Sequence, residues 1–115
     1  SMTGMETISD GRLLRVYLSE SDRDDGRPLD EAIIDALRSA GISGATVLRG
    51  VVGYGGSAVL HTTHVLRLSE DLPLVIEAVD TADKIEAVLP RLVEMAADAV
   101  ITTHAIEIHR PPTAG

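Results

Sequence analysis

The sequence predicts an α+β fold in which an antiparallel sheet carries two helices on one face. Three observations support this prediction. Segments with an apolar period of two alternate with two segments of helical period, in the order β-α-β and again β-α-β. A glycine-rich loop separates the two halves, and the 115 residues fit one compact domain. Two such halves form the ferredoxin-like arrangement, βαββαβ.

The first half of the chain contains two predicted strands with a helix between them. The strands are expected near residues 12–19 and at 44–52. The helix is expected to begin at Pro28, whose fixed φ suits the first helical position, and to end at Gly41, which tolerates a left-handed cap. Its apolar face has four residues at helical spacing: Leu29, Ile33, Leu37 and Ala40.

The second half repeats this pattern. A strand is expected at 74–79, and the helix that follows it is expected to be capped by Asp80 or Thr81. Pro90 lies inside this helix, where it lacks an N–H to donate and should cause a kink. The last strand is expected at 100–108. The apolar stripe of the helix comprises Ile85, Leu89, Leu92, Val93 and Ala96.

The loop between the halves is unusually rich in glycine. It contains Gly53, Gly55 and Gly56 within four residues, and a strand-like arm is expected after it at 59–69. Its backbone N–H groups could surround a phosphate with help from Arg49. The spacing matches neither a Walker A loop nor a dinucleotide-binding loop. The alternative is a flexible hairpin tip with glycines at positive φ.

The composition excludes several classes of protein. Acidic residues outnumber basic ones 18 to 10, for a formal charge of -8, which opposes docking on nucleic acid or anionic lipid. The chain has no Phe, no Trp and no Cys, so stacking platforms for bases, disulfides and thiolate metal sites are not expected. Since no apolar window is long enough to span a membrane and no signal peptide opens the chain, we expect a cytoplasmic protein.

Histidines and hydroxyl groups provide no catalytic or metal-binding pattern. His61 and His64 would point to opposite faces of a strand, so with His104 and His109 they are expected to be surface or interface residues. Convergence of the first two on a metal would require a loop or a subunit interface. Ser57 lacks the G-x-S-x-G context of a nucleophile. We therefore expect no enzymatic activity, no cofactor and no metal.

The domain is expected to comprise residues 12–110. Residues 1–11 are expected to be a tag-cleavage scar and a flexible N-terminus, and residues 111–115 a flexible tail. Two helices on one face leave the other face of the sheet uncovered, and its aliphatic surface predicts a homo-oligomer that closes sheet on sheet. The candidates are Leu13, Arg15 and Tyr17, with Val47 and Arg49 or Thr46 and Leu48, and with Val75 and Val79 or Leu74 and Ile76.

Several stretches resemble one known family. They include GATVLRGVVGYG, DLPLVIEAVD and VITTHAIEI, and the similarity extends from about Leu13 to His109. The chain resembles the PII-like family catalogued as domain of unknown function 190. This resemblance implies a small ferredoxin-like protein that assembles as a trimer.

The wider resemblance to PII signalling proteins implies a regulatory role. Those proteins bind adenine nucleotides in clefts between trimer subunits and move a long loop to contact channels, transporters or enzymes. The loop corresponds to about Gly50–His64 here. Thr46, Gly53, Tyr54 and Gly55 resemble the stretch at the base of the PII loop. The implied ligand-binding set is Thr46, Arg49, Gly53, Tyr54, Gly55, Gly56 and His104.

Two departures from the PII pattern concern the phosphates. Pro73 is followed by Leu74 rather than by a lysine, and the stretch ADAVITTHA lacks the glycines and lysine that precede the last strand in PII proteins. Both missing elements hold phosphates in those proteins. If an anion or nucleotide binds, the groups left to hold it are Arg49, the loop glycines and His104 or Arg110.

Three functional hypotheses follow. The first is a cytosolic trimer that senses a small effector, such as an adenine nucleotide, in its inter-subunit clefts and signals through Gly50–His64. The second is an interaction module that docks on a membrane transporter or channel without any ligand. The third is a small metal-binding protein, in which His61 and His64 would have to bind the metal.

Overall fold

The computed structural model describes residues 4–55 and 71–112. Within them the chain forms six strands and two helices. These are β1 (Glu6–Ser19), β2 (Arg23–Asp24), β3 (Arg27–Pro28), α1 (Leu29–Ser39), β4 (Ala45–Arg49), β5 (Pro73–Thr81), α2 (Ala82–Met95) and β6 (Val100–Arg110).

Four strands form the main sheet, in the order β4-β5-β1-β6. Each strand is antiparallel to its neighbours. The helices contact each other and pack on one face of this sheet. The predicted α+β, ferredoxin-like fold is therefore confirmed. Neither helix of the described chain has the length and apolar composition that a membrane span requires.

The core lies between the helices and this face of the sheet. Alternate residues of β1 and β5 point into it, as the period of two predicted. The largest side chains that are fully buried are Leu14, Val16, Ile33, Leu37, Ile76, Ile85 and Leu92. Burial of each such side chain contributes about 1.5–3 kcal/mol, so this layer dominates the stability of the subunit.

The end of α1 confirms the predicted role of glycine. Gly41 has a φ of 79°, and its N–H donates to the carbonyl of Arg38 at 3.0 Å. The N–H of Ile42 donates to the carbonyl of Leu37 at 3.1 Å, and both side chains are buried. This pattern is a Schellman cap, which satisfies two carbonyls at the helix end and adds an apolar contact.

The first strand is longer than predicted. It begins at Glu6 and pairs with β6 from the Glu6–Arg110 pair onward, with a register shift between Ile8 and Gly11. Residues 6–11 are thus part of the sheet and not a separate N-terminal segment. The polar sequence ETISD concealed this strand because its residues are largely exposed and have no apolar alternation.

The predicted loop after β1 contains a small hairpin. β2 and β3 are joined by Asp25 and Gly26, which have φ values of 51° and 87°. Two positive φ angles are typical of the type I′ turn that Asp-Gly favours. Pro28 precedes the first helical residue, Leu29, so the prediction that α1 begins at Pro28 was wrong by one position.

The second helix differs from its prediction in two respects. Val93 is 54% exposed, and Val88 occupies the core instead, because the buried positions follow 85, 88, 92 and 96. Thr81 occupies the N-cap position as predicted, but no side-chain hydrogen bond from the described residues caps the helix, and the Asp80 carboxylate accepts the N–H of Thr81 instead. The helix continues through Pro90 as one element from Ala82 to Met95.

Two strands were predicted on either side of the glycine loop, and the structure describes one of them. β4 ends at Arg49 rather than at residue 52. The predicted strand-like arm at 59–69 lies outside the described residues.

Candidate functional site

The strand β4 carries two predicted ligand residues, and the structure places them on opposite faces. Thr46 pairs with Glu77 of β5, whereas Arg49 pairs with Leu74, which is buried in the core. Side chains alternate along a strand, so residues 46 and 49 point in opposite directions. The predicted set is therefore divided between the helix-covered face and the other face, which we call the open face.

The open face has an apolar row that spans all four strands. Its members are paired directly across the sheet: Leu48, Val75, Tyr17 and Val100. Leu48, Tyr17 and Val100 are 47%, 42% and 51% exposed. The alternatives left open by the sequence are thereby resolved, since Thr46, Leu48, Val75 and Val79 belong to this face and Leu74 and Ile76 to the core.

A polar row runs beside the apolar one. It contains Thr46, Glu77, Arg15 and Thr102 in register. Arg15 Nε donates to Glu77 Oε2 at 2.8 Å, and this hydrogen bond raises the pKa of the Arg15 guanidinium. Thr102 Oγ1 is buried and has no hydrogen-bond partner within the described part of the chain.

A cavity of about 390 Å³ lies at the β4 side of the open face. β1 and β6 pair with each other beyond the end of the β1–β5 ladder, and this extension brings the end of β6 to the cavity. The wall combines apolar, hydroxyl and charged groups: Ser43, Gly44, Ala45, Thr46, Glu77, Val79, Ile108 and Arg110.

Arg110 supplies the positive charge of this cavity. Its Nε lies 3.5 Å from Glu6 Oε1. It is nevertheless buried without a hydrogen bond among residues 4–55 and 71–112. The cavity therefore contains a cationic donor suited to an anion, facing a carboxylate at Glu77.

Asp80 anchors the residues that lead into β4. Its carboxylate is 3% exposed and accepts the N–H of Ser43 at 2.9 Å and that of Thr81 at 2.7 Å. Burial by itself raises the pKa of the carboxyl, but these two N–H groups and Lys84 outweigh it, so the pKa lies below its usual value. The β4 end of the cavity is thus held by an ionised buried carboxylate.

The other end of β4 is fastened on the helix-covered side. Glu20 Oε2 pairs with Arg49 Nη2 at 2.8 Å, while Glu20 Oε1 accepts the N–H of Leu72 at 3.1 Å. The N–H of Gly50 donates to the carbonyl of Pro73 at 2.8 Å. Arg49 and Glu20 also line a second cavity, of about 500 Å³. Arg49 is therefore close to the loop but not to the first cavity.

The remaining predicted residues do not join this site within one chain. Gly53, Tyr54 and Gly55 follow β4, and Tyr54 is 80% exposed. Neither glycine has positive φ, so that part of the hairpin-tip alternative is wrong for these two positions. Gly56 lies outside the described residues. His104 lies on β6, where it pairs with Leu13 of β1. In the sheet, β6 is three strand spacings, or roughly 14 Å, from β4.

The residue that sequence reasoning missed is Glu77. It lies in the apolar segment LVIEAV, where a single charged residue on a half-buried strand was a usable signal. Arg110 was foreseen as one of the groups that could hold an anion. Its proximity to Thr46 follows from the β1–β6 extension, which the polar N-terminal sequence did not predict.

The histidines and acidic residues form no evident metal centre in the described chain. No group of three His, Cys, Asp or Glu side chains in residues 4–55 and 71–112 is arranged to hold an ion. His109 Nδ1 lies 3.2 Å from Thr7 Oγ1, and its Nε2 lies 3.2 Å from Glu107 Oε1. His61 and His64 lie outside the described residues.

Comparison with known proteins identifies the family and the fold. A UPF0166 protein of Methanocaldococcus jannaschii is 42% identical over 84 residues, which are 73% of this chain and 77% of that protein. The apo form of CPII, a nitrogen regulatory PII-like protein of Thiomonas intermedia K12, superposes with a TM-score of 0.61 over 93% of this chain and 99% of CPII, at 17% identity.

CPII bound to ADP, AMP and acetate superposes with a TM-score of 0.59, at 19% identity and 93% coverage of each chain. At these identities the superpositions establish that the fold is PII-like. The family described as Uncharacterized ACR, domain of unknown function 190, matches residues 11–108. The chain belongs to this family.

Proposed function

We propose that the protein is a PII-like regulator whose trimer binds an adenine nucleotide between subunits and signals through the loop Gly50–His64. The observation that carries the proposal is the guanidinium of Arg110 in the wall of the 390 Å³ cavity of the open face, together with the carboxylate of Glu77 in the same wall. The part of this loop beyond residue 55 lies outside the described residues, so the proposal rests on the residues at its start and on the cavity.

The chemistry of the cavity fits an adenine nucleotide. The guanidinium of Arg110 is suited to a phosphate, because charge-assisted hydrogen bonds to phosphate are strong and directional. The carboxylate of Glu77 can accept the exocyclic amino group of adenine, and the Thr46 hydroxyl can bond a ring nitrogen. Val79 and Ile108 offer an apolar surface for the base. Its PII-like relative CPII binds ADP, AMP and acetate, which supports the same assignment.

The trimer is supported by the open face. An apolar row that crosses the whole sheet is more exposed aliphatic surface than a subunit normally presents to water. Packing of this face against a neighbour would enclose the cavity and could bring the neighbour's copy of His104 toward it.

Calorimetric titration with ATP, ADP and AMP tests the proposal. We expect binding of at least one nucleotide and a loss of affinity of about tenfold or more in Arg110→Ala, because a charge-assisted bond contributes about 1.5–3 kcal/mol. Arg27→Ala is the matched control, since Arg27 pairs with Asp35 on the surface away from the cavity. Failure of the wild-type protein to bind any of the three, with its trimer intact, would overturn the assignment of the ligand.

A ligand-independent docking module is the second candidate. Val51, Val52 and Tyr54 are 67%, 53% and 80% exposed directly after β4, and such a cluster could contact a membrane transporter or channel. This candidate predicts that protein freed of nucleotide by dialysis still binds its partner and that Tyr54→Asp abolishes binding. Partner binding that appears only with nucleotide would favour the first proposal.

A further inference from the structure

We propose that Glu20 is a positioning residue that holds together the two ends of the β4–β5 connection, which contains the loop Gly50–His64, and that β4 couples this clamp to the cavity. The clamp consists of the Glu20 carboxylate, the Arg49 guanidinium and the Leu72 N–H. Its coupling to the cavity rests on the proposed function, whereas the clamp itself stands on the contacts alone.

The carboxylate of Glu20 serves two segments that are far apart in the sequence. One oxygen pairs with Arg49, at the last position of β4, at 2.8 Å. The other accepts the N–H of Leu72, just before β5, at 3.1 Å. The N–H of Glu20 donates to the carbonyl of Leu72 at 3.0 Å. A single side chain thus joins the end of β4 to the residue that precedes β5.

The two ends of the β4–β5 connection are held by different numbers of hydrogen bonds. The returning end is fixed by Asp71, whose carboxylate accepts Ser21 N–H at 2.9 Å, Ser21 Oγ at 2.6 Å and Ser19 Oγ at 2.7 Å. The departing end has the Arg49 pair and the Gly50 N–H, which donates to Pro73. The departing end is therefore the one expected to shift when the clamp opens.

The strand β4 is built to transmit such a shift. It has five residues, all exposed, and within the described part of the chain it is an edge strand that pairs with β5 alone. Thr46 lines the cavity on one face, and three residues later Arg49 enters the clamp on the other. Since the side chains of Arg49 and Glu20 are 62% and 30% exposed, their ion pair is weak enough to be broken by a small movement of the strand.

Amide hydrogen exchange of the apo protein, followed by NMR, tests the clamp. In Glu20→Ala we expect the Leu72 amide to exchange about fivefold faster, because it loses its acceptor, and the Gly50 amide to exchange faster as well, because Arg49 beside it loses its ion pair. In Arg49→Ala we expect the Leu72 amide to accelerate as well, because the Glu20 side chain loses its second attachment. Asp35→Ala, which breaks a surface ion pair of similar length, should leave both amides unchanged.

Two outcomes would overturn the clamp. One is no faster exchange of the Leu72 amide in Glu20→Ala. The other is unchanged exchange of the Leu72 amide in Arg49→Ala, in a protein whose Ile76 amide in the core exchanges as in the wild type. The coupling is tested with saturating ADP, which should change exchange at Gly50 in the wild type but not in Glu20→Ala, although both bind ADP. An unchanged response in Glu20→Ala would refute the coupling. If none of ATP, ADP and AMP binds, the proposed function and the coupling fail together; if ATP or AMP binds instead of ADP, that nucleotide replaces ADP in this test. The apo measurements decide the clamp in either case.

Discussion

Thr46 is the residue at which the strand, the cavity and the proposed ligand meet. It pairs directly with Glu77 across the ladder and lines the cavity that Arg110 completes. Thr46 is exposed in the wall of the cavity, and its β-branched side chain is suited to a strand. Its contribution to binding can therefore be separated from its contribution to folding.

Thr46→Val should lower the affinity for ADP about three- to tenfold without changing the fold, because one hydrogen bond contributes about 0.5–1.5 kcal/mol. Calorimetric titration measures the affinity, and thermal unfolding measures the stability. Thr103→Val is the matched control, because Thr103 lies at an exposed position of β6 on the opposite face. Equal affinity of Thr46→Val and wild type would exclude the hydroxyl from the site.

Gly50 is required by a close approach rather than by its φ. A Cβ at this position would lie 2.9 Å from Pro73 Cγ and 3.4 Å from the Pro73 carbonyl oxygen. Gly50→Ala should therefore destabilise the protein by about 1 kcal/mol or more, because either the ring or the backbone must move. Gly44→Ala, which meets nothing within 4 Å, should be nearly neutral. Urea denaturation of both variants checks this, and equal midpoints would contradict it.

Single residues of the site differ in how far the sequence could predict them. The separation of Thr46 and Arg49 follows from strand alternation alone and was available from their spacing. Glu77 was visible as a charge in an apolar strand. The approach of Arg110 to Thr46 was not predictable, because it depends on the β1–β6 extension and on the register shift between Ile8 and Gly11.

At the scale of elements, a carboxylate fastens β4 at each of its ends. Asp80 holds the Ser43 N–H at the entry and Glu20 holds Arg49 at the exit. Among residues 4–55 and 71–112, the strand has a ladder on one side only. The position of this edge strand therefore depends on two side chains that belong to β5 and to the turn after β1.

The anchor at the entry predicts a pH dependence. The pKa of Asp80 is lowered in the folded state, so its contribution to stability is present above the unfolded value of about 4 and is lost as the pH falls through the folded value. Asp80→Asn should cost about 1–3 kcal/mol at pH 7, and the difference from wild type should narrow below about pH 4. Denaturation at several pH values measures it, with exposed Asp98→Asn as control. A constant difference would contradict the prediction.

The elements themselves were largely predictable where apolar alternation was strong, as in β5, whose buried residues alternate along its whole length. The helical period of α2 predicted a helix but not which edge of its stripe faces the sheet, so the predicted stripe includes Val93, which is exposed, and omits Val88, which is buried. The Asp25-Gly26 turn carried a usable hairpin signal that the polarity of its surroundings concealed.

At the scale of the molecule, the open face combines apolar surface with internally balanced charge. Arg15 and Glu77 neutralise each other at the centre of the face, and the row Leu48, Val75, Tyr17 and Val100 crosses it beside them. A charge pair within the face adds little to the affinity between two copies of the chain but disfavours packing in a wrong register. Burial of the apolar row would supply the driving force for their association. This distribution supports packing of the face against another copy of the chain.

Leu48→Glu should therefore dissociate the proposed trimer, because it would bury an unpaired carboxylate in the apolar row at a cost of about 3 kcal/mol or more. Val93→Glu is the matched control, since Val93 is 54% exposed on α2, away from the open face, and should leave the assembly intact. Sedimentation velocity measures the mass of each variant, and circular dichroism verifies that each remains folded. A folded Leu48→Glu protein with the same mass as wild type would show that this face does not hold the subunits together.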